Sequence, residues 1–210
     1  GYIIHDPAAG YGNGKVDLSQ IDFEALANRL GKTRKRTLNE MLKGAVSSRI
    51  AAMVRLNRTR IDYLARLQAL IEAYNNGSLN AEALYEALVA LARSLDAEEQ
   101  RAVGEQLNEE ELAVFDLLTK PQVALSGPDR EKVKATARAL LATLKTEKLV
   151  LDWRKRQQAR AEVRVTIEKV LDEGLPRVYT AELFQEKSAA VFQHVYDAYY
   201  GAGRSVYATG

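Results

Sequence analysis

The stretch LNEMLKGAVSSRIAAMVRLNRTRIDYLARLQALIEAY, Leu38–Tyr74, decides the fold class. Its apolar residues fall at Leu38, Leu42, Ala45, Val46, Ile50, Met53 and Leu56, then at Tyr63, Leu67, Leu70, Ile71 and Tyr74. Steps of three and four place them on one face of an α-helix, which completes a turn in about 3.6 residues. The spacing predicts one long helix from Leu38 to Tyr74, with a break near Asn57 as the alternative, because uninterrupted globular helices are seldom so long. Asn75-Asn76-Gly77 supplies the stop.

The same period extends downstream. Asn80 opens a helix through Leu84, Leu88, Leu91 and Leu95, and Asp96-Ala-Glu-Glu opens a further short one. Asn108-Glu-Glu-Glu opens a helix carrying Leu112, Phe115, Leu117 and Leu118 as far as Pro121. Ser126-Gly-Pro-Asp starts one through Val133, Ala137, Leu140, Leu141 and Leu144, and Thr180-Ala-Glu-Leu starts the last, with Val191, Phe192, Val195 and Tyr199. Each opener is a residue whose side-chain oxygen can accept a free backbone N–H at a helix start. Upstream, Phe23, Leu26, Ala27 and Leu30 mark a short helix closed by Gly31, whereas residues 1–20, with Pro7, Gly10, Gly12 and Gly14, read as linker. The expectation is an all-α, bundle-like domain of about eight helices over residues 21–200. It has a loop-rich start, a long N-terminal helix and no strand, and residues 201–210 form a flexible tail.

Bulk properties narrow the function. The 210 residues carry 30 Lys and Arg against 28 Asp and Glu, a net charge of +2, so a nucleic-acid role would have to rest on a local patch. The absence of cysteine removes disulfides, thiolate catalysis and cysteine metal sites, and fits a reducing, cytoplasmic setting. No apolar run approaches the roughly 18 residues of a membrane span. The first residues, GYIIHDPAAG, lead us to expect a fragment of a longer protein.

Motifs with catalytic flavour have simpler readings. Gly31-Lys32-Thr33 ends like a phosphate loop, but position 26 is Leu and a helix precedes it. Gly10-Tyr-Gly-Asn-Gly lacks the strand and helix of a dinucleotide fingerprint. Asp129 with Glu131 and Lys132 shares one helical turn, which suits a cap rather than a metal nuclease. Glu98-Glu99 and Glu109-Glu110-Glu111 are assigned to helix starts. The two histidines, His5 and His194, are distant in sequence, and His194 beside Val191 and Val195 reads as a core-edge residue. No catalytic or metal-binding residue is predicted for this chain.

Two cationic features remain. In DWRKRQQARAEVR, Asp152–Arg164, a helix drawn from Leu149 to Leu171 puts Leu149, Trp153, Val163, Ile167, Val170 and Leu171 on one face. Asp152 and Arg156 fall within that face and Arg160 beside it, while Arg154 points away and Arg164 lies four residues beyond Arg160. A buried, unpaired arginine costs several kcal/mol, so partners are required. An internal salt-bridge network is the default; a protein interface and direct DNA contact are the alternatives. The network reading predicts that Arg156→Ala costs about 2–4 kcal/mol. The second feature is Lys32, Arg34, Lys35 and Arg36, continued by Arg49, Arg55, Arg58 and Arg60: a solvated helix face, or a surface that tracks phosphates.

Asp152-Trp153-Arg154, Arg160-Ala161 and Arg164 resemble the DWR-x5-RA-x2-R signature in the C-terminal region of the restriction (R) subunit of type I restriction–modification enzymes. LNEEELA, Leu107–Ala113, with Asp116, VDLSQIDFEALA, Val16–Ala27, and VFQHVY, Val191–Tyr196, are similar to the same region in the same order. The resemblance implies a parent with a nuclease domain, two RecA-like motor lobes and a helical C-terminal domain. That parent would use ATP and Mg2+ to pull and cut DNA, and residues 1–20 would be the end of its motor region. It implies that the helical region docks this polypeptide onto the methyltransferase and specificity subunits and meets DNA through the assembled complex. No cofactor is expected in the chain itself. The alternative function is a helical module that guides duplex into the motor through Lys32, Arg34, Lys35, Arg36, Arg55 and Arg58.

Overall fold

The computed structural model describes residues 32–121 and 123–208, with side chains from Arg36 onward. Seven α-helices follow one another: α1 (Lys32–Leu56), α2 (Ile61–Asn75), α3 (Ala81–Gly104), α4 (Glu109–Thr119), α5 (Gly127–Thr143), α6 (Gln157–Gly174) and α7 (Ala181–Ala198). A two-stranded antiparallel hairpin, β1 (Tyr199–Gly201) and β2 (Arg204–Ser205), follows α7. The helix expected over Phe23–Leu30 and the linker over residues 1–20 lie outside the described residues.

The long helix of the N-terminal half is divided. Asn57 leaves the helix with φ −142°, and its side chain accepts from Thr59 N, capping a 3-10 turn over Arg58–Arg60. A short polar side chain that can satisfy backbone N–H groups competes with helix continuation. In contrast, Asp96 does not open a new helix, because α3 runs through it. The Asp96 carboxylate pairs with Arg49 on α1 at 2.6 Å, and Leu91 and Leu95 stay in the core. Elsewhere the caps lie where the sequence put them. Asn80, Ser126 and Thr180 accept from the third residue onward, and Asn108 and Glu111 form a reciprocal capping box.

Two apolar clusters share α3. The first joins Leu42, Val46, Ile50 and Met53 of α1 to Leu67 of α2 and to Leu84, Leu88, Leu91 and Leu95 of α3. The second begins at Ala102 near the end of α3 and gathers α4, α5, α6 and α7 around Phe115, Leu140, Ile167, Val191 and Trp153. α3, about 36 Å long at 1.5 Å per residue, is the spine between them.

The segment before α6 is a turn, not a helix. After a π-helical turn, Leu144–Lys148, the chain bends through residues 151–155, and Asp152 adopts φ 57°. α6 starts only at Gln157. The bend drives Trp153 fully inside, where its indole N–H donates to Tyr199 O at 3.2 Å. The tail expected to be loose is folded as far as residue 208. Ala202 N bonds Leu149 O and Val206 N bonds Ala198 O, each at 2.9 Å, and Val206 is buried. Gly201, at φ +90°, is required there, since a Cβ would lie 2.3 Å from Val150 O.

Candidate functional site

α6 buries Val163, Ile167 and Leu171, so Arg160 and Arg164 border that apolar stripe next to α7. α7 presents Phe192 and Tyr196, one helical turn apart, on its facing edge, with ring centroids separated by 6.4 Å. Arg164 lies over Phe192 with its guanidinium carbon 4.2 Å from the centroid. Arg154, leaving the turn next to buried Trp153, lies over Tyr196 at 4.6 Å and Tyr200 at 5.3 Å. Trp153 and Tyr196 meet edge to face with centroids 5.9 Å apart, which anchors the tyrosine ring from beneath. Arg160 donates from Nη1 to Arg154 O at 2.7 Å and ties the turn to the first turn of α6. Arg160, Ala161, Arg164, Phe192, Gln193 and Tyr196 line an open groove of about 390 Å³.

The expected Asp152–Arg156 pair is absent. Asp152 binds Lys155 at 3.1 Å, and Arg156, the residue before α6, is exposed without a carboxylate partner among the described residues. The cause is the bend, because the i,i+4 geometry that would join the two needs a helix through residues 152–156. Rather than on carboxylates, Arg160 rests on a backbone carbonyl, and Arg154 and Arg164 rest on aromatic faces. Such contacts hold a guanidinium by its plane and leave its charge available. Two acids of α6 and α7 are engaged with other residues: Glu162 with Gln158 at 3.1 Å, and Asp197 with Arg58 at 2.8 Å and Gln193 at 3.0 Å.

A second polar assembly, for which the sequence offers no pattern, fills the seam between the two apolar clusters. Arg60, only 2% exposed, donates from Nε to Glu98 and from both terminal nitrogens to Glu109, at 2.9–3.3 Å. Arg101 grips Glu98 at 2.9 Å and Asp116 through both terminal nitrogens. Asp116, fully buried, also accepts from Asn57 at 2.7 Å and faces Lys120 at 3.2 Å. Burial alone would raise the Asp116 carboxyl, but hydrogen bonding from Arg101, the charges of Lys120 and Arg101 and the Asn57 amide hold it below the usual range. Glu98 is likewise held low against burial by Arg101 and Arg60. Glu98 therefore works in mid-helix, not at a helix start, and Arg60 is no surface cation. The one signal available in sequence was Asp116, part of the resemblance carried by LNEEELA, with nothing to indicate its partners.

The basic run of the N-terminal half divides. Lys32, Arg34 and Lys35 fall in the first turn of α1, and their side chains lie outside the described residues. Arg36 and Arg55 are exposed. Arg49 is held by Asp96 and Glu99, Arg58 by Asp197 and Arg60 by the seam. Asp129 belongs to the cap of α5, where its N–H donates to Ser126 Oγ at 3.2 Å. Among the described residues no group of three or more His, Asp or Glu could hold a metal ion, and no helix is long and apolar enough to cross a membrane.

The chain belongs to a family of restriction-enzyme regions: residues 4–199 match the model described as "Type I restriction enzyme HindI endonuclease subunit-like, C-terminal". It is similar to a protein of Methanocaldococcus jannaschii described as a putative type I restriction enzyme MjaIXP endonuclease subunit, at 27% identity over 161 residues. That match covers 75% of this chain but 15% of the relative. No solved structure matches the chain.

Proposed function

We propose that this chain is a non-catalytic assembly domain. It docks the ATP-dependent translocase and endonuclease subunit of a type I restriction enzyme onto the methyltransferase–specificity core, in the cytoplasm. Membership of the family makes a role within a multi-subunit restriction–modification complex the starting point. The observation that carries the reading further is the α6–α7 face, where Arg154, Arg160 and Arg164 stand on aromatic or backbone partners with no carboxylate among the described residues. Arginine and aromatic side chains are the residues that most often anchor protein interfaces. ATP and Mg2+ belong to the motor and nuclease of the parent in this reading.

The test mixes the purified chain with the purified methyltransferase–specificity core and follows co-elution on size exclusion. A stable complex, with neither ATP hydrolysis nor DNA cleavage by the chain alone, is the expected result. Failure of the folded chain to associate overturns the proposal. Guidance of duplex by the N-terminal basic run has less support, because Arg58 of that set and the neighbouring Arg49 and Arg60 are already paired with carboxylates.

A further inference from the structure

We infer that the α6–α7 groove receives an acidic α-helix of a partner protein, with carboxylates four residues apart engaging Arg164 and Arg154; this rests on the docking reading above. Three observations lead there. The first is charge. Elsewhere in the chain Arg49, Arg58, Arg60, Arg101, Arg130 and Arg138 each face Asp or Glu. Arg154, Arg160 and Arg164 do not, a state they share with Arg55, Arg66 and Arg93 among the described residues; what sets this group apart is that Arg154 and Arg164 are seated on neighbouring rings of one helix. No carboxylate of the described residues lies within 4 Å of these guanidinium groups, so an anion supplied by a partner would complement them.

The second observation is spacing. The rings that seat Arg164 and Arg154 are 6.4 Å apart. Positions i and i+4 of an α-helix are separated by about 6 Å along its axis. Two carboxylates on one face of a partner helix thus have the same spacing as the two rings on which the guanidinium groups are seated. A guanidinium lying flat on a ring keeps its N–H edge free for a carboxylate, and its rotamer freedom is already spent.

The third observation selects protein over nucleic acid. The turn that supplies Arg154 also carries Val150 and Leu151, 48% and 56% exposed, beside the partly exposed Tyr200 that Arg154 covers. Aliphatic side chains next to arginine–aromatic pairs suit an amphipathic helix laid into a groove. A phosphate backbone would leave them uncovered.

The probe is a helical peptide of about 20 residues with two Glu four positions apart and Leu on the flanking face, compared with its Glu→Gln counterpart and a duplex of about 20 base pairs. Binding to the 210-residue chain is read by fluorescence anisotropy. The expected result is that the Gln peptide binds at least about tenfold more weakly. Arg164→Glu, at an exposed position and with folding checked by its melting curve, should weaken the Glu peptide by a similar factor. Equal binding of the two peptides, no effect of Arg164→Glu, or tighter Arg164-dependent binding of the duplex overturns the inference. The same variant applied to the methyltransferase–specificity core separates the two claims. If the core binds wild type and Arg164→Glu alike, the assembly reading stands and the groove inference falls. If the core binds neither while the peptide contrast holds, the assembly reading falls and the groove chemistry stands.

Discussion

Lowering the pH should cost this protein stability through one buried imidazole. His194 on α7 is 2% exposed, and its Nε2 lies 3.0 Å from the Tyr207 hydroxyl. The single hydroxyl proton of Tyr207 goes to Leu56 O at 2.5 Å, so the imidazole donates at Nε2. Burial and then the charge of Arg58 push its pKa down to about 4 from an ordinary 6.5, against smaller opposing effects of Asp197 and Glu110. Because the folded-state pKa lies below the unfolded one, the stabilisation is complete above about pH 6.5 and is lost as pH falls towards 4. At about 1.36 kcal/mol per unit, the loss amounts to roughly 2.5 kcal/mol between pH 7.5 and 4.5 and tends to about 3.4 kcal/mol below pH 4. Urea denaturation at half-unit steps across that window measures it. His194→Gln, which can still donate to Tyr207, should be nearly flat between about pH 7.5 and 5, where the buried carboxylates have not begun to protonate. Parallel pH profiles for wild type and His194→Gln would refute the argument.

Three further outcomes follow from the geometry. Arg156→Ala should change stability by no more than about 0.5 kcal/mol in the same denaturation assay, since Arg156 is exposed and its side chain makes no cap bond, in place of the roughly 2–4 kcal/mol that a buried pair implies. Asp116→Ala should cost about 3–5 kcal/mol, because Arg101 and Asn57 lose their shared acceptor inside the fold; a melting temperature within about 2 °C of wild type would contradict this. Gly201→Ala should destabilise by more than about 2 kcal/mol, measured as a lower urea midpoint, since the new Cβ meets Val150 O in a left-handed backbone.

The helical class, the order of helices and most of their starts were legible because they rest on local physics. Apolar spacing in Leu38–Tyr74 identifies the buried face, and Asn80, Asn108, Ser126 and Thr180 satisfy N–H groups within three residues of themselves. The same local rules misread residues 149–156. There Trp153 leaves the helical register to reach Tyr199 O, forty-six residues ahead, and periodicity contains no term for so distant a partner. The hairpin was hidden for a related reason: a strand of two or three residues has no pattern of its own, and it forms because Leu149 and Ala198 offer it backbone partners.

By itself, the sequence determined a helical chain that belongs with the C-terminal regions of type I restriction endonucleases, and the identity of its arginine row. Only the tertiary structure decided which cations are spent inside and which remain available. Arg60 and Arg101 meet Glu98, Glu109 and Asp116 across the seam, whereas Arg154 and Arg164 meet rings of α7 and the hairpin. A guanidinium has the same charge in every sequence position, and its role depends on what the folded chain brings within about 4 Å of it.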